Sequence, residues 1–262
     1  MELLNIKEYT KNWKNKLKAL IQEKNVKPVL SIYKVGNNAA SERYVRNKMR
    51  DCAEVGIEVR LHEFNDDVDT KTLIRNIVAD DANGIIVQLP LPPQIDFELI
   101  KKVIPAEKDV DGFGVESKFK CCTPGGIIRY LEDCGFCFEG ANAVVIGRSD
   151  IVGKPMAKYL LEKNCTVTVC HSKTNRSFLY TLLHWADLVV CAVGKRGIFR
   201  SSETDPKTVI IDVGINIDEN GKLCGDVIDD GGNENITPVP GGVGLLTRCM
   251  LLENVLHACL GD

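Results

Sequence analysis

The stretch from Ala143 to Glu162 restricts the fold of this chain more than any other. The apolar run Ala143-Val144-Val145-Ile146 has the character of a buried strand. Gly147-Arg148-Ser149-Asp150-Ile151-Val152-Gly153 follows at once, and Lys154 to Glu162 then reads as a helix. A strand that turns through glycines into a helix aims backbone N–H groups and a positive helix end at one sheet edge, where a pyrophosphate can sit. The glycine spacing departs from the G-x-G-x-x-G dinucleotide fingerprint. On the glycines alone the run suits a cofactor turn or an ordinary tight turn.

The next strands favour the cofactor turn. Thr166 to Cys170 begins roughly 20 residues after the first strand, and NAD-specific enzymes place an acid at its end to hold the ribose 2′-hydroxyl. Here His171-Ser172-Lys173-Thr174 stands in that place, without a carboxylate. A hydroxyl and a cation, joined by Arg148 from the turn, suit a 2′-phosphate, so the residues favour NADP. Taken without that context, Lys173 is a solvated surface charge. Two further apolar strands end in glycine, Asp187 to Val193 at Gly194 and Val209 to Val213 at Gly214. Such ends let a ligand approach the backbone closely. The expected cofactor contacts are Gly147, Arg148, Ser149, Ile151, Val152, Gly153, His171, Ser172, Lys173, Ala192, Val193, Gly194, Val213, Gly214 and Ile215, in a Rossmann-type domain.

The chain before this region alternates in the same way. Helices are expected over Asn12–Lys24, Ala40–Gly56 and Thr70–Ala79, and strands over Pro28–Tyr33, Glu58–Phe64 and Gly84–Gln88. That order implies a second parallel sheet with helices on both faces. Leu89-Pro90-Leu91-Pro92-Pro93 stops the third strand, and a proline there marks a tight turn and sometimes a cis bond. Pro105 to Pro124 reads as irregular. Gly126 to Cys134 and the apolar Val243 to Cys259 read as helices, the last packing back on the body of the protein.

At 262 residues the chain suits one large or two modest domains, and 44% hydrophobic residues supply a core. A net charge of −3 gives no basic field to recruit nucleic acid or an anionic membrane. No apolar stretch approaches the roughly 20 residues of a membrane span. The first residues lack the basic-then-apolar form of a signal peptide, so a cytoplasmic protein is expected. Most of the 11 cysteines sit inside apolar runs, where a thiol behaves as a small hydrophobe. Cys134 and Cys137 have redox or zinc spacing, but no second pair follows, so no metal is expected.

Three oddities stand in the first half. Tyr44 and Lys48 are four apart on an expected helix and share a face, a pairing that alone is usually surface decoration. Gln88 puts an amide at the end of an apolar strand, and Lys108-Asp109-Val110-Asp111-Gly112-Phe113 puts charges in an irregular segment. With Val87-Gln88-Leu89-Pro90-Leu91-Pro92, Cys122-Thr123-Pro124, Gly147-Arg148-Ser149-x-Ile151-Val152-Gly153-x-Pro155 and Thr237-Pro238-Val239-Pro240-Gly241-Gly242-Val243-Gly244, these motifs closely resemble the bifunctional methylenetetrahydrofolate dehydrogenase/cyclohydrolases. The matching segments run from Val35 to Asn254 in the family's order.

The resemblance implies two three-layer α/β domains flanking a cleft, the second a Rossmann-type NAD(P)-binding domain. Residues 1–121 with a returning helix 245–262 are the expected folate domain, and 122–244 the expected NADP domain, usually in a homodimer. It implies oxidation of 5,10-methylenetetrahydrofolate with NADP and hydrolysis of the methenyl product to 10-formyltetrahydrofolate, so the expected partners are tetrahydrofolate one-carbon derivatives. Carried over, Lys48 resembles the general acid/base of the hydrolysis, Gln88 its orienting partner, Tyr44 the ring stacked on the folate and Asp111 the carboxylate on the pterin edge. Tyr44, Lys48, Leu89, Pro90, Asp111, Pro240, Gly241 and Gly242 are the expected substrate contacts.

This chain departs from the family pattern in three places. The segment from Gly114 to Cys121 is shorter than usual, Cys121 stands where a proline is customary, and Leu245-Leu246 replaces Pro-Met. A dehydrogenase whose hydrolysis is weakened by the short segment is the alternative.

Overall fold

A computed structural model of the chain describes residues 3–261. They form two compact units. One comprises Lys11–Cys122 and the chain from Arg248 on; the other comprises Thr123–Thr247 and the chain up to Thr10.

The first unit is built on a parallel sheet of order β2-β1-β3, from β1 (Val29–Val35), β2 (Glu58–Phe64) and β3 (Gly84–Val87). Its helices are α1 (Ile6–Lys24), α2 (Ala39–Val55), α3 (Thr70–Val78) and α4 (Phe97–Val103). The central strand β1 is buried along nearly its whole length, and among its apolar residues it also buries Ser31 and Lys34, the latter paired with Glu63 of β2 at 3.0 Å. Tyr33, Val35, Ile85 and Val87 share one core with Leu73 and Ile77 of α3 and Ile100 of α4. Asp69 starts α3 by accepting the Thr72 N–H at 2.6 Å, and Asp96 starts α4 through Leu99 N–H at 3.1 Å. α4 is an addition to the expected elements, because seven residues are too few for helical periodicity to show.

The second unit has α5 (Cys122–Asp133), then a four-stranded parallel sheet of order β5-β4-β6-β7. The strands are β4 (Asn142–Ile146), β5 (Thr166–Cys170), β6 (Leu188–Cys191) and β7 (Val209–Asp212). Helices α6 (Gly153–Glu162) and α7 (Arg176–Trp185) connect them. Alternation along β4 divides the core into two layers. Ala143 and Val145 pack with α5 and α6 through Leu131, Met156 and Leu160. Val144 and Ile146 pack on the other face with Leu183 of α7 and with Val227. Each fully buried aliphatic side chain of this kind stabilises by about 1.5–3 kcal/mol relative to exposure. A short antiparallel hairpin, β8 (Asn216–Ile217) with β9 (Leu223–Cys224), extends the chain beyond β7.

The last helix, α8 (Val243–Leu260), is eighteen residues long and apolar, and its apolarity serves burial. Leu251, Leu252, Val255 and Leu256 lie in the core of the first unit. There Arg248 pairs with Asp51 of α2, and Glu253 accepts the Trp13 indole N–H at 2.9 Å. At the other end of the chain, Leu3 packs against the core of the second unit. Tyr9 donates to Asp133 at 2.6 Å, and Tyr130 donates to the Leu4 carbonyl at 2.7 Å. These bonds seat the chain before Thr10 with the second unit. All eleven cysteines are thiols, and among the described residues no cluster of metal-ligating side chains occurs.

Candidate active site

In the first unit, α2 carries Lys48 and the end of β3 delivers Gln88. Lys48 Nζ donates to Gln88 Oε1 at 3.2 Å. The Gln88 backbone N–H continues the strand ladder to the Tyr33 carbonyl at 2.8 Å, so the sheet itself sets where the amide sits. Gln88 Nε2 donates to the Leu89 carbonyl at 2.7 Å, and the Leu89–Pro90 peptide bond is cis. Tyr44, one turn before Lys48 on α2, is exposed.

Asp111 is buried, and its carboxyl is pushed above the usual carboxylate range by that burial. The positive charge of Lys48 opposes the rise and Asp109 adds to it. Lys48 and Asp111 are therefore close enough to act on one another. The backbone here is held tightly. Gly112 has φ +72°, and a Cβ there would press on the backbone of Lys120 and Cys121. Asp109 accepts the Gly114 N–H at 2.6 Å, Ser117 Oγ donates to the Asp109 carbonyl at 3.0 Å, and Cys121 Sγ donates to the Gly112 carbonyl at 2.7 Å. The short segment after Phe113 is thus a closed turn folded back on the aspartates.

The structure brings Lys48, Gln88, Leu89 and Asp111 together in the first unit, while Pro240, Gly241 and Gly242 belong to the second. Gly241 has φ +97° and follows the cis Val239–Pro240 bond.

In the second unit the Gly147 turn needs its glycines. Gly147 has φ +123°, and a Cβ there would collide with the Ala192 carbonyl oxygen. A Cβ at Gly153 would strike the Gly147 carbonyl. Ser149 Oγ accepts the N–H groups of Val152 at 3.2 Å and Gly153 at 3.4 Å, which ties the turn to the start of α6. Arg148 is exposed. After β5, His171 Nδ1 accepts the Lys173 backbone N–H at 3.2 Å, and the His171 backbone N–H donates to Thr174 Oγ1 at 2.9 Å. This turn leaves Ser172 and Lys173 exposed. Gly194, at φ +70°, has open space where a Cβ would stand. The room left by Gly214 has another tenant: a Cβ there would run into the Asp226 carboxylate. These features fit a dinucleotide: a turn with a glycine at each end, a helix N-terminus behind it and a cationic rim.

Sequence reasoning passed over Asp212 and Asp226, both buried beside this edge. The available signal was a carboxylate closing the otherwise apolar run Val209-Ile210-Ile211.

Comparison with known proteins agrees over both units. Residues 4–111 match the model of the tetrahydrofolate dehydrogenase/cyclohydrolase catalytic domain, and residues 121–261 match that of its NAD(P)-binding domain. The chain belongs to the tetrahydrofolate dehydrogenase/cyclohydrolase family. Within that family, it is 46% identical to the bifunctional protein FolD of Polaromonas naphthalenivorans, covering 92% of this chain and 90% of that one. The crystal structure of the bifunctional FolD enzyme of Campylobacter jejuni superposes with a TM-score of 0.92 at 38% identity, covering 100% of this chain and 99% of the other. The Trypanosoma brucei FolD structure, complexed with NADP cofactor and inhibitor, superposes at 0.91 with 32% identity, covering 99% and 97%.

Proposed function

We propose that this family member oxidises 5,10-methylenetetrahydrofolate to the 5,10-methenyl form with NADP, and hydrolyses that product to 10-formyltetrahydrofolate. The observation that carries the reading is the Lys48–Gln88 hydrogen bond beside buried Asp111, on a chain that also holds the Gly147 turn. The bifunctional relatives support it.

The first unit acts as the folate domain and the second as the NADP domain. Tyr44 stacks on the folate, Asp111 binds the polar edge of the pterin, and Leu89, Pro90, Pro240, Gly241 and Gly242 complete the substrate contacts. The middle of the Gly147–Gly153 turn and the N-terminal end of α6 face the pyrophosphate, Arg148, Ser172 and Lys173 face the 2′-phosphate, and the segments Ala192–Gly194 and Val213–Ile215 line the rest of the cofactor. NADP, when bound, accepts the hydride, so the oxidation asks the protein for position rather than proton transfer. Hydrolysis does need a base. Lys48, its amine directed by Gln88, takes a proton from the water that adds to the methenyl carbon and returns it to the ring nitrogen that departs, while the proton of the carbinol hydroxyl passes to solvent as the formyl C=O forms. We place the protein in the cytoplasm, where eleven reduced thiols persist, and as a homodimer through the nucleotide unit. Exposed Val169 on edge strand β5 and exposed Phe178 on α7 support that surface.

The test is incubation with 5,10-methylenetetrahydrofolate and either NADP or NAD, following the absorbance of methenyl product and reduced nucleotide together. Reduced NADP is expected to form without build-up of the methenyl compound. Accumulating methenyl product overturns the hydrolase half, and turnover with NAD but none with NADP overturns the cofactor assignment.

A further inference from the structure

The nucleotide unit buries two carboxylates that hydride transfer does not use. Asp212 ends β7 and is 3% exposed; Asp226 follows the β8–β9 hairpin and is 0% exposed. Their oxygens are fully engaged. Asp226 Oδ2 accepts the N–H groups of Val193 at 2.6 Å and Gly194 at 2.9 Å, and its Oδ1 accepts from Asn216 Nδ2 at 2.9 Å. Asp212 Oδ1 accepts the N–H groups of Gly214 at 2.9 Å and Asp226 at 3.0 Å, and its Oδ2 accepts that of Val227 at 2.9 Å. Two glycines make the room: a Cβ at Gly214 would meet the Asp226 carboxylate, and one at Gly225 that of Asp212.

Placing two like charges together in a core is costly, and apolar side chains of equal volume pack there at no such cost. What the pair accomplishes is geometric. Val193 and Gly194 lie just past β6; Gly214 and Asn216 lie just past β7. Asp226 ties the first segment to the second, and Asp212 holds Asp226 by its backbone. We infer that Asp226, seated on Asp212, is a positioning residue that fixes these two segments relative to each other and so sets the affinity for NADP. The inference rests on the NADP reading of this sheet edge.

An amide cannot replace the carboxylate. Asp226→Asn offers one acceptor oxygen where two are in use. With that oxygen on Val193 and Gly194, the new NH2 faces the NH2 of Asn216; turned over, it faces two backbone N–H groups. Asn216 can meet the new NH2 only by turning over its own amide, which gives up its bond to the Gly225 carbonyl, so the tie between the two segments weakens in every arrangement. Asn216→Ala is the milder variant: at the partly buried start of β8 it removes the bond to Asp226 and one to the Gly225 carbonyl at 3.0 Å, and it leaves the Asp226 carboxylate in place.

The experiment measures three quantities on the full chain and both variants. They are the NADP dissociation constant by calorimetry without folate, the hydrolysis of methenyltetrahydrofolate without any nucleotide, and the thermal unfolding midpoint. Hydrolysis needs no hydride acceptor, so it reports whether the rest of the molecule is intact. Expected is NADP binding weaker by roughly tenfold or more in Asp226→Asn, in keeping with loss of a charge-assisted hydrogen bond. A smaller loss in the same direction is expected in Asn216→Ala, with hydrolysis near the unsubstituted rate in both. Unchanged NADP affinity in a folded Asp226→Asn overturns the inference, as does a parallel fall of hydrolysis and binding. Should Asp226→Asn fail to fold, Asn216→Ala decides by the same criteria. Failure of the unsubstituted protein to bind NADP overturns the nucleotide reading itself, which this positional argument presupposes.

Discussion

Lys48 Nζ reaches Gln88 Oε1 at 3.2 Å while Gln88 commits its own amide nitrogen to the Leu89 carbonyl at 2.7 Å. The second bond decides the first. With its NH2 engaged on the backbone, the Gln88 amide can present only oxygen to the amine, and the lysine is held by an acceptor that carries no charge. Lys48→Met is expected to abolish hydrolysis while leaving measurable NADP-dependent oxidation. Gln88→Met, which frees the amine without removing it, is expected to slow hydrolysis by roughly a hundredfold, at the lower end of what general acid–base catalysis contributes. Separate assays of the two steps, with folate binding measured alongside, check this. Equal loss of both steps with folate binding intact sinks the division of labour.

The cofactor preference rests on exposed side chains rather than on buried structure. Arg148 leaves the turn after β4, and Lys173 leaves the turn after β5. The double variant Arg148→Ala/Lys173→Ala is expected to raise the KM for NADP by about tenfold to a hundredfold, the effect of losing one or two charge-assisted contacts to a phosphate. The KM for NAD should stay where it was. Steady-state oxidation with each nucleotide checks it, and an unchanged ratio of the two KM values would show that neither cation reads the 2′-phosphate.

The strand-and-turn skeleton was legible from the sequence because parallel strands covered on both faces leave continuous apolar runs, and the turn at Gly147 has a backbone requirement that only glycine meets. α4 was not legible, since a seven-residue helix between prolines gives no periodicity to detect. The role of Gly214 was read as room for a ligand, whereas the Asp226 carboxylate occupies that room. Sequence spacing cannot tell who fills the space beside a glycine. Helix spacing and an oddly placed amide single out Lys48 and Gln88 separately, the family resemblance pairs them, and the fold supplies the hydrogen bond between them.

Asn254 links α8 to the segment that carries Asp111. Its side chain is buried and donates to the carbonyls of Val110 at 2.8 Å and Lys120 at 3.1 Å. Asn254→Leu leaves both carbonyls without that donor, at a cost of about 1–3 kcal/mol in unfolding free energy. The KM for folate should rise as well, because Asp111 follows Val110 directly. Denaturant unfolding together with folate titration checks both effects, and a stability change under about 0.5 kcal/mol, the range of an ordinary surface substitution, counts against the linkage.

Asp212 gives the nucleotide unit a pH dependence of definite sign. Its carboxyl is pushed up to about 6, first by burial and further by neighbouring Asp226, while the N–H groups of Val227, Asp226 and Gly214 pull it down. The buried Cys191 thiol beside the pair is held well above its usual value and stays protonated through this range. Because the folded protein holds the Asp212 proton more tightly than the unfolded chain does, this carboxyl contributes stability that is complete below the ordinary carboxylate value of 3.8. That contribution is lost as the pH rises through about 6 and is gone at neutral pH. The loss is at most about 3 kcal/mol by the usual conversion of a pKa difference. Asp212→Asn does not titrate. Its stability, measured by denaturant unfolding from pH 4 to pH 7, should therefore fall less over that interval than that of the unsubstituted protein, whatever offset the lost acceptor oxygen adds at every pH. Parallel curves for the two proteins would mean that Asp212 takes up no proton on folding.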